Sequence, residues 1–189
     1  MNSLLLVRAI EYAGHVHRNQ KRKLSDDPFV VHPLHVALIA SRYTHDDDVI
    51  VAAILHDTME DSEPEEKVTK DVIAQVFNER VANIVDDVSI KGTDSMEAKR
   101  ASREHILTAA WESHLVKLSD IISNTSCNIT RLDIHSLETI ERELGESLLE
   151  ACAVNEDFIE KVTNEKILET GIVEDARRCV SALKMLISN

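Results

Sequence analysis

Val49-Ile50-Val51-Ala52-Ala53-Ile54-Leu55-His56-Asp57-Thr58-Met59-Glu60-Asp61 is the stretch from which the rest of the chain can be read. If Val49 to Glu60 is one helix, its 3.6-residue period sets Glu60 nearly over His56 and Asp61 over Asp57. Four groups able to hold a metal or move a proton then share one edge. The other side, Ile50, Val51, Ala53 and Ile54, is built for burial. Charge beside a core face is costly unless a cation or partner compensates it. An exposed acidic last turn is the plain alternative, and for an isolated His-Asp pair it would be preferred. The surrounding chain decides between them.

The chain has 189 residues, 43% of them hydrophobic, enough for the core of one domain. Gly (4), Pro (3) and aromatic residues (3%) are scarce, while Leu, Ile, Val, Ala, Glu and Lys abound. That composition predicts an all-α fold over residues 1–189, with no repeat or linker. Acidic residues outnumber basic ones, 34 to 21, for a formal charge of −13. General attraction to nucleic acid needs a basic face, so no nucleic-acid partner is expected. A phosphorylated substrate would need local basic residues or bound cations to reverse that field. Cys127, Cys152 and Cys179 are widely spaced with no CxxC, the pattern of reduced thiols in a cytoplasmic protein. Met1 to Arg8 is too briefly apolar for a leader, and no run suits a bilayer span, so no membrane association is expected.

Working outward, Leu4 to Ala13 is amphipathic with Ser3 as its cap. Basic residues follow from His15 to Lys23, then a loop from Leu24 to Phe29. Pro33 suits the first turn of a second helix, with His32 just before it. Asp46 to Asp48 are the acids expected at the start of the third. Thr69 caps a fourth helix that Asn78 stops in a left-handed conformation. Arg80 to Val88 restarts helically, and Ser89 to Ser95, with Lys91 and Gly92, is the expected flexible loop. Glu97–Ala110 and His114–Ile129, the latter capped by Ser113, come next. Two or three more helices are expected, broken near Gly145, Asn155 and Gly171.

His32, the adjacent His56 and Asp57, and Asp120 form one candidate metal quartet. Two imidazoles and two carboxylates suit a first-row divalent ion such as Mn²⁺ better than Ca²⁺ or structural Zn²⁺. Spacing alone leaves many rival quartets among nine His and numerous Asp. Asp120, between Leu118 and Ile121, is the acid that most needs a partner, because it lies in an apolar stripe.

Four motifs then occur in order: His17-Arg18-Asn19-Gln20-Lys21-Arg22-Lys23, Pro28-Phe29-Val30-Val31-His32-Pro33, Leu55 to Asp61, and Val116-Lys117-Leu118-Ser119-Asp120 with Asn124. Together they resemble the HD-domain hydrolases of the stringent response, both the stand-alone small alarmone hydrolases and the hydrolase domains of bifunctional Rel/Spo enzymes. The resemblance runs over about residues 5 to 130. It implies an HD-domain helical bundle in which His32, His56, Asp57 and Asp120 bind one Mn²⁺. Glu60 and Asp61 would position and activate water. Arg22 would pack on a nucleobase, Lys23 would line its pocket and Asn124 would contact the sugar. The implied substrate is a small nucleotide, (p)ppGpp, which loses its 3′-pyrophosphate to leave GDP or GTP. No synthetase domain is expected in the 69 residues that follow Asp120.

The chemistry suits those residue types. A metal lowers the pKa of bound water and offsets phosphoryl charge, and a carboxylate within reach can accept the water's proton. Arg18 to Lys23, with Lys91, Lys99, Arg100 and Arg103, are the natural counterweight to the acids. Departures from the family pattern are Ile121 for a basic residue, Thr125-Ser126 for a hydrophobic-Arg pair, Phe29 for Tyr, and Asp26-Asp27 for Gly-Glu. They leave (p)ppApp or another nucleotide open as substrate, and a non-catalytic alarmone sensor as the non-enzymatic rival. His17 is read as packing within the site, Lys21 as solvated and Trp111 as core or helix-end packing. His15, His35, His45, His105, His114 and His135 receive no role.

Overall fold

The computed structural model describes residues 3–89 and 95–188. The chain opens with α1 (Ser3–Val16), α2 (Val31–Ala40), α3 (Asp47–Leu55) and the single turn α4 (Thr58–Asp61). A 3₁₀ turn over Pro64–Glu66 leads to α5 (Lys70–Val76), α6 (Glu79–Val88), α7 (Met96–Leu107) and the long α8 (Trp111–Leu132). Then come α9 (Leu137–Leu144), α10 (Leu148–Lys161), α11 (Glu165–Thr170) and α12 (Ile172–Ile187). Among the described residues the only β-type pairing is an isolated antiparallel bridge between Lys21 and Pro28. The all-α expectation holds.

Two buried helices organise the bundle. α3 buries every residue from Val49 to Leu55, not one face alone, as an all-apolar helix must. It packs on α1, α2 and α6. α8 runs between α2 and α12 and also meets α6, α7, α9 and α11. Its residues from Ser113 to Ser123 are buried, and they include Lys117 and Asp120. The far side is completed by α10, which packs on α12 and α7.

Capping explains where the helices start. Asp46 accepts from the Asp48 N–H, Thr69 from Val72 and Ser95 from Ala98. Arg80 then pairs with Asp46 (2.7 Å), Asp48 (3.2 Å) and Glu112 (2.7 Å), tying together the starts of α3, α6 and α8. Gly145 (φ 75°) and Gly171 (φ 82°) end α9 and α11 in the left-handed region, at two of the breaks expected from the sequence.

Several expectations are corrected. Ser3 lies inside α1, and His32 lies inside the first turn of α2, where Pro33 also fits because that turn's N–H groups lack intrahelical partners. Asn78 does not stop α5 in a left-handed conformation. Its backbone is extended, and its side chain accepts from the Val81 N–H to cap α6. Ser113 is within α8, where its hydroxyl donates to Asp87 (2.7 Å). Asn155 lies within α10 and breaks nothing, and four helices rather than two or three fill the end of the chain. Lys91, Gly92 and the rest of the expected loop from 90 to 94 lie outside the described residues.

Candidate metal centre and cleft

The helix expected to run unbroken from Val49 to Glu60 divides at His56 and Asp57. The His56 imidazole Nδ1 donates to the Ala53 carbonyl (2.9 Å), and the buried Thr58 hydroxyl donates to Leu55 (2.6 Å). Side chains thus satisfy carbonyls of the last turn of α3. Asp57 sits at φ −92°, ψ −7°, the sparsely allowed bridge region favoured by active-site residues. The Asp61 N–H still bonds the Asp57 carbonyl (3.0 Å), so Asp61 keeps its expected register over Asp57, and Glu60 and Asp61 both stand on the separate turn α4.

That division brings the quartet together from three elements. His32 Nε2 lies 3.4 Å from Asp57 Oδ2 and 3.3 Å from Asp120 Oδ1. His56 Nε2 lies 3.0 Å from Asp57 Oδ1 and 3.9 Å from Asp120 Oδ1. Ligand atoms of His32, His56 and Asp57 all fall within 4.8 Å of one another, a cluster that could hold a metal ion. Because a carbonyl only accepts, His56 carries its hydrogen on Nδ1 and turns the Nε2 lone pair toward two carboxylates. That buried nitrogen has no hydrogen-bond partner among the described residues. A lone pair against carboxylate oxygens is tolerable only with a proton or a metal cation between them, so the donor set fits a divalent ion.

The charges follow the same geometry. Burial disfavours the His56 imidazolium, but Asp57 and Asp120 outweigh it and raise its pKa to about 9. Burial also favours neutral Asp57, yet His56 and His32 hold its carboxyl at about 2. Asp120 lies well below the usual carboxylate range, with burial overcome by Lys117, His32 and His56. The Lys117 ammonium, itself buried, reaches Asp120 Oδ2 at 3.0 Å. This lysine was missed in the sequence, although the i, i+3 spacing to Asp120 was there to be read. Ser123, also missed, has its hydroxyl 3.3 Å from His32 Nδ1 and 3.0 Å from His35 Nδ1. His35, assigned nothing, therefore sits one contact behind the cluster.

The quartet opens into a cleft of about 530 Å³, with Asp57, Glu60, Asp61 and Asp120 in its wall. Gln20 donates to the Asp61 carbonyl (2.5 Å), and His17 Nδ1 lies 2.7 Å from Gln20 Oε1, so His17 packs behind the acids. The same cleft is lined by the basic residues Arg22, Lys23, Lys99, Arg103 and Arg131. Arg22 lies over the Phe29 ring (5.7 Å) and reaches Asn124 Oδ1 (3.4 Å), while Asn124 donates to Asp120 (2.6 Å). Asn124 thus links the quartet to the arginine. Lys23 is held by the Leu144 carbonyl (3.1 Å), and Arg131 donates to the Lys23 carbonyl (2.9 Å). Burial and neighbouring Arg22 lower the Arg131 pKa. Cys152 lines the cleft as an unpaired thiol that burial pushes up to about 11, unsuited to act as a nucleophile.

A helical bundle that gathers His32, an adjacent His-Asp pair and a later Asp at one cleft defines a class. The chain belongs to the HD-domain family, whose sequence pattern it matches over residues 9–126. Among its relatives, the guanosine-3′,5′-bis(diphosphate) 3′-pyrophosphohydrolase of Aquifex aeolicus is 39% identical over 121 residues, 62% of this chain and 17% of that protein. The guanosine-3′,5′-bis(diphosphate) 3′-pyrophosphohydrolase MESH1 of Xenopus tropicalis is 36% identical over 127 residues, 65% of this chain and 69% of the relative. A solved structure described as a metazoan ortholog of SpoT that hydrolyses ppGpp shares the fold, with a TM-score of 0.71. It is 22% identical and the match covers 94% of this chain and 97% of that one. The protein lmo0812 from Listeria monocytogenes shares the fold too, with a TM-score of 0.69 and 22% identity over 82% of this chain and 99% of that one. Among the described residues no helix is long and apolar enough to cross a membrane.

Proposed function

We propose that the chain is a Mn²⁺-dependent hydrolase of the cytoplasm that removes the 3′-pyrophosphate of (p)ppGpp, leaving GDP or GTP. The observation that carries this reading is the juxtaposition of His32, His56, Asp57 and Asp120 with Glu60 and Asp61 on one basic-walled cleft. The names of the 34–39% identical relatives supply the substrate class.

His32, His56, Asp57 and Asp120 would hold the ion, which when bound supplies Lewis-acid activation of water and neutralises phosphoryl charge. Glu60 and Asp61 orient the attacking water, and one of them takes its proton. The water oxygen adds to the phosphorus nearest the ribose, the bond from that phosphorus to the 3′ oxygen breaks, and a proton ends on that oxygen. Arg22, stacked with Phe29, receives the base, while Lys23 and Asn124 line the nucleoside end. Lys117 holds Asp120 in place throughout.

A second reading keeps the chemistry and changes the base to adenine. Ile121 and Thr125 leave the base open, because both stand in the cleft wall at positions that depart from the family pattern. The deciding assay offers ppGpp and ppApp side by side with Mn²⁺ or with chelator, and separates the products. Pyrophosphate released from ppGpp with Mn²⁺ alone supports the first reading. Cleavage of ppApp alone moves the substrate, and binding without cleavage of either leaves a sensor. His56→Ala and Asp57→Ala should abolish both metal binding and turnover.

A further inference from the structure

On α7 three basic residues reach across to the chain that follows residue 126, where the family match ends. Lys99 pairs with Glu146 (2.5 Å) and Arg100 with Glu150 (3.3 Å). Arg103 differs, because its Nη2 donates to the neutral amide oxygen of Asn155 on α10 (3.2 Å). Its Nε and Nη1 are buried and have no hydrogen-bond partner among the described residues. A guanidinium stays charged at any physiological pH and offers five donors in a fixed fork. Buried donors of a charged group are seldom left without acceptors. Burial pulls the Arg103 pKa below its usual value, even with Asp120, Glu60 and Glu146 near enough to oppose it.

Arg103 lines the same cleft as Asp57, Glu60 and Asp120. Arg103 is held from α10 by Asn155, with Asp120, Glu60 and Glu146 near enough to act on its charge, whereas Arg22 is held by Phe29 and Asn124. The two arginines therefore serve different parts of one elongated anion. We propose that Arg103, anchored by Asn155, is the clamp for the terminal phosphoryl group of the 3′-pyrophosphate and for the pyrophosphate that leaves. This rests on the hydrolase reading above and deepens it. It also gives α10 a part in substrate recognition: Asn155 supplies a neutral acceptor, which orients the fork without neutralising it, as a carboxylate there would.

The test titrates inorganic pyrophosphate and, separately, GDP into the Mn²⁺-loaded protein at a buffered free Mn²⁺ concentration. Arg103→Gln should weaken pyrophosphate binding about tenfold or more, with GDP and Mn²⁺ affinity changed less than about twofold. Arg103→Lys, which keeps charge and loses the fork, should fall between. Asn155→Asp should weaken pyrophosphate as well, because its carboxylate occupies the guanidinium. It carries the decision should Arg103→Gln fail to fold. Unchanged pyrophosphate affinity in both Arg103→Gln and Asn155→Asp overturns the proposal, and so does an equal loss for pyrophosphate and GDP. A parallel assay with wild-type protein separates the two readings. Failure to cleave either alarmone removes the hydrolase reading, while the pyrophosphate titration still decides whether Arg103 is an anion clamp.

Discussion

Replacing Lys117 by Met keeps the volume of the aliphatic stem and removes one charge from the centre of the molecule. The Lys117 ammonium is 3.0 Å from Asp120 Oδ2, with side chains 6% and 11% exposed. At an effective dielectric constant of about 20, that separation corresponds to an attraction of about 5–6 kcal/mol. Removing one partner of a buried pair typically costs about 3–5 kcal/mol. Asp120 keeps the Asn124 amide at 2.6 Å and the His32 imidazole at 3.3 Å, which puts the expected loss at the lower end, about 3 kcal/mol. That loss belongs to the metal-free protein. A divalent cation in the quartet compensates Asp120 itself and is no longer repelled by the ammonium, so the gap between variant and wild type narrows. By linkage the variant then binds Mn²⁺ more tightly, about tenfold for each 1.4 kcal/mol recovered. Urea unfolding with chelator and with saturating Mn²⁺, together with direct Mn²⁺ titration, measures both sides. A loss below about 1 kcal/mol without metal, or an equal loss in both conditions, would refute the reasoning.

On the proposed roles, Glu60→Gln preserves shape and removes one of the two carboxylates that orient the attacking water, so turnover should fall by about 10²–10⁴ while Mn²⁺ affinity stays within about threefold. Loss of Mn²⁺ binding, with turnover restored by excess metal, would instead make Glu60 a ligand. At Asp46, hydrogen bonding to Arg80 holds the carboxyl below its usual range despite partial burial. The stability it contributes is present above the ordinary carboxylate value and lost as pH falls through the lowered folded one. Asp46→Asn should therefore cost about 0.5–1 kcal/mol at pH 7, where the pair is partly exposed, and flatten the acid limb of a stability-against-pH curve from urea midpoints. Gly145→Ala meets no atom within 4 Å of the new Cβ, so its whole effect is the positive φ. It should cost about 1–2 kcal/mol, read as a lower Tm by calorimetry.

What the sequence made legible is what local physics dictates. An apolar run without a polar face must be buried, and Val49 to Leu55 are. Asp46, Thr69, Gly145 and Gly171 occupy the ends their side chains or lack of one prefer. The division at His56–Asp57 was not legible, because both residues keep right-handed backbone angles and no Gly or Pro marks the spot. Asn78 can stop one helix or cap the next, and only the Val81 N–H it receives decides. Ser113 and Asn155 were read as punctuation because such side chains compete for backbone partners, but each found a side-chain partner on another helix. The quartet spans His32 to Asp120, and nine histidines gave spacing no way to select it. Resemblance named those positions. Gln20 and Lys117 stand inside quoted motifs and Ser123 just beyond one, but their roles rest on contacts that cross the chain or hide within α8, which spacing does not show.

The cleft divides between early and late chain. Its quartet and acid pair lie within the stretch that matches the family, whereas Leu144, Leu148, Ala151, Cys152 and Leu183 come after residue 126. Substitutions in that later segment can reshape the chamber without touching an atom of the quartet. Descendants of such a scaffold are free to diverge in what the chamber admits while inheriting the quartet and acid pair unaltered. Mutational drift, or a library confined to α9–α12 that spares Asn155, would vary the chamber with the quartet and acid pair held constant.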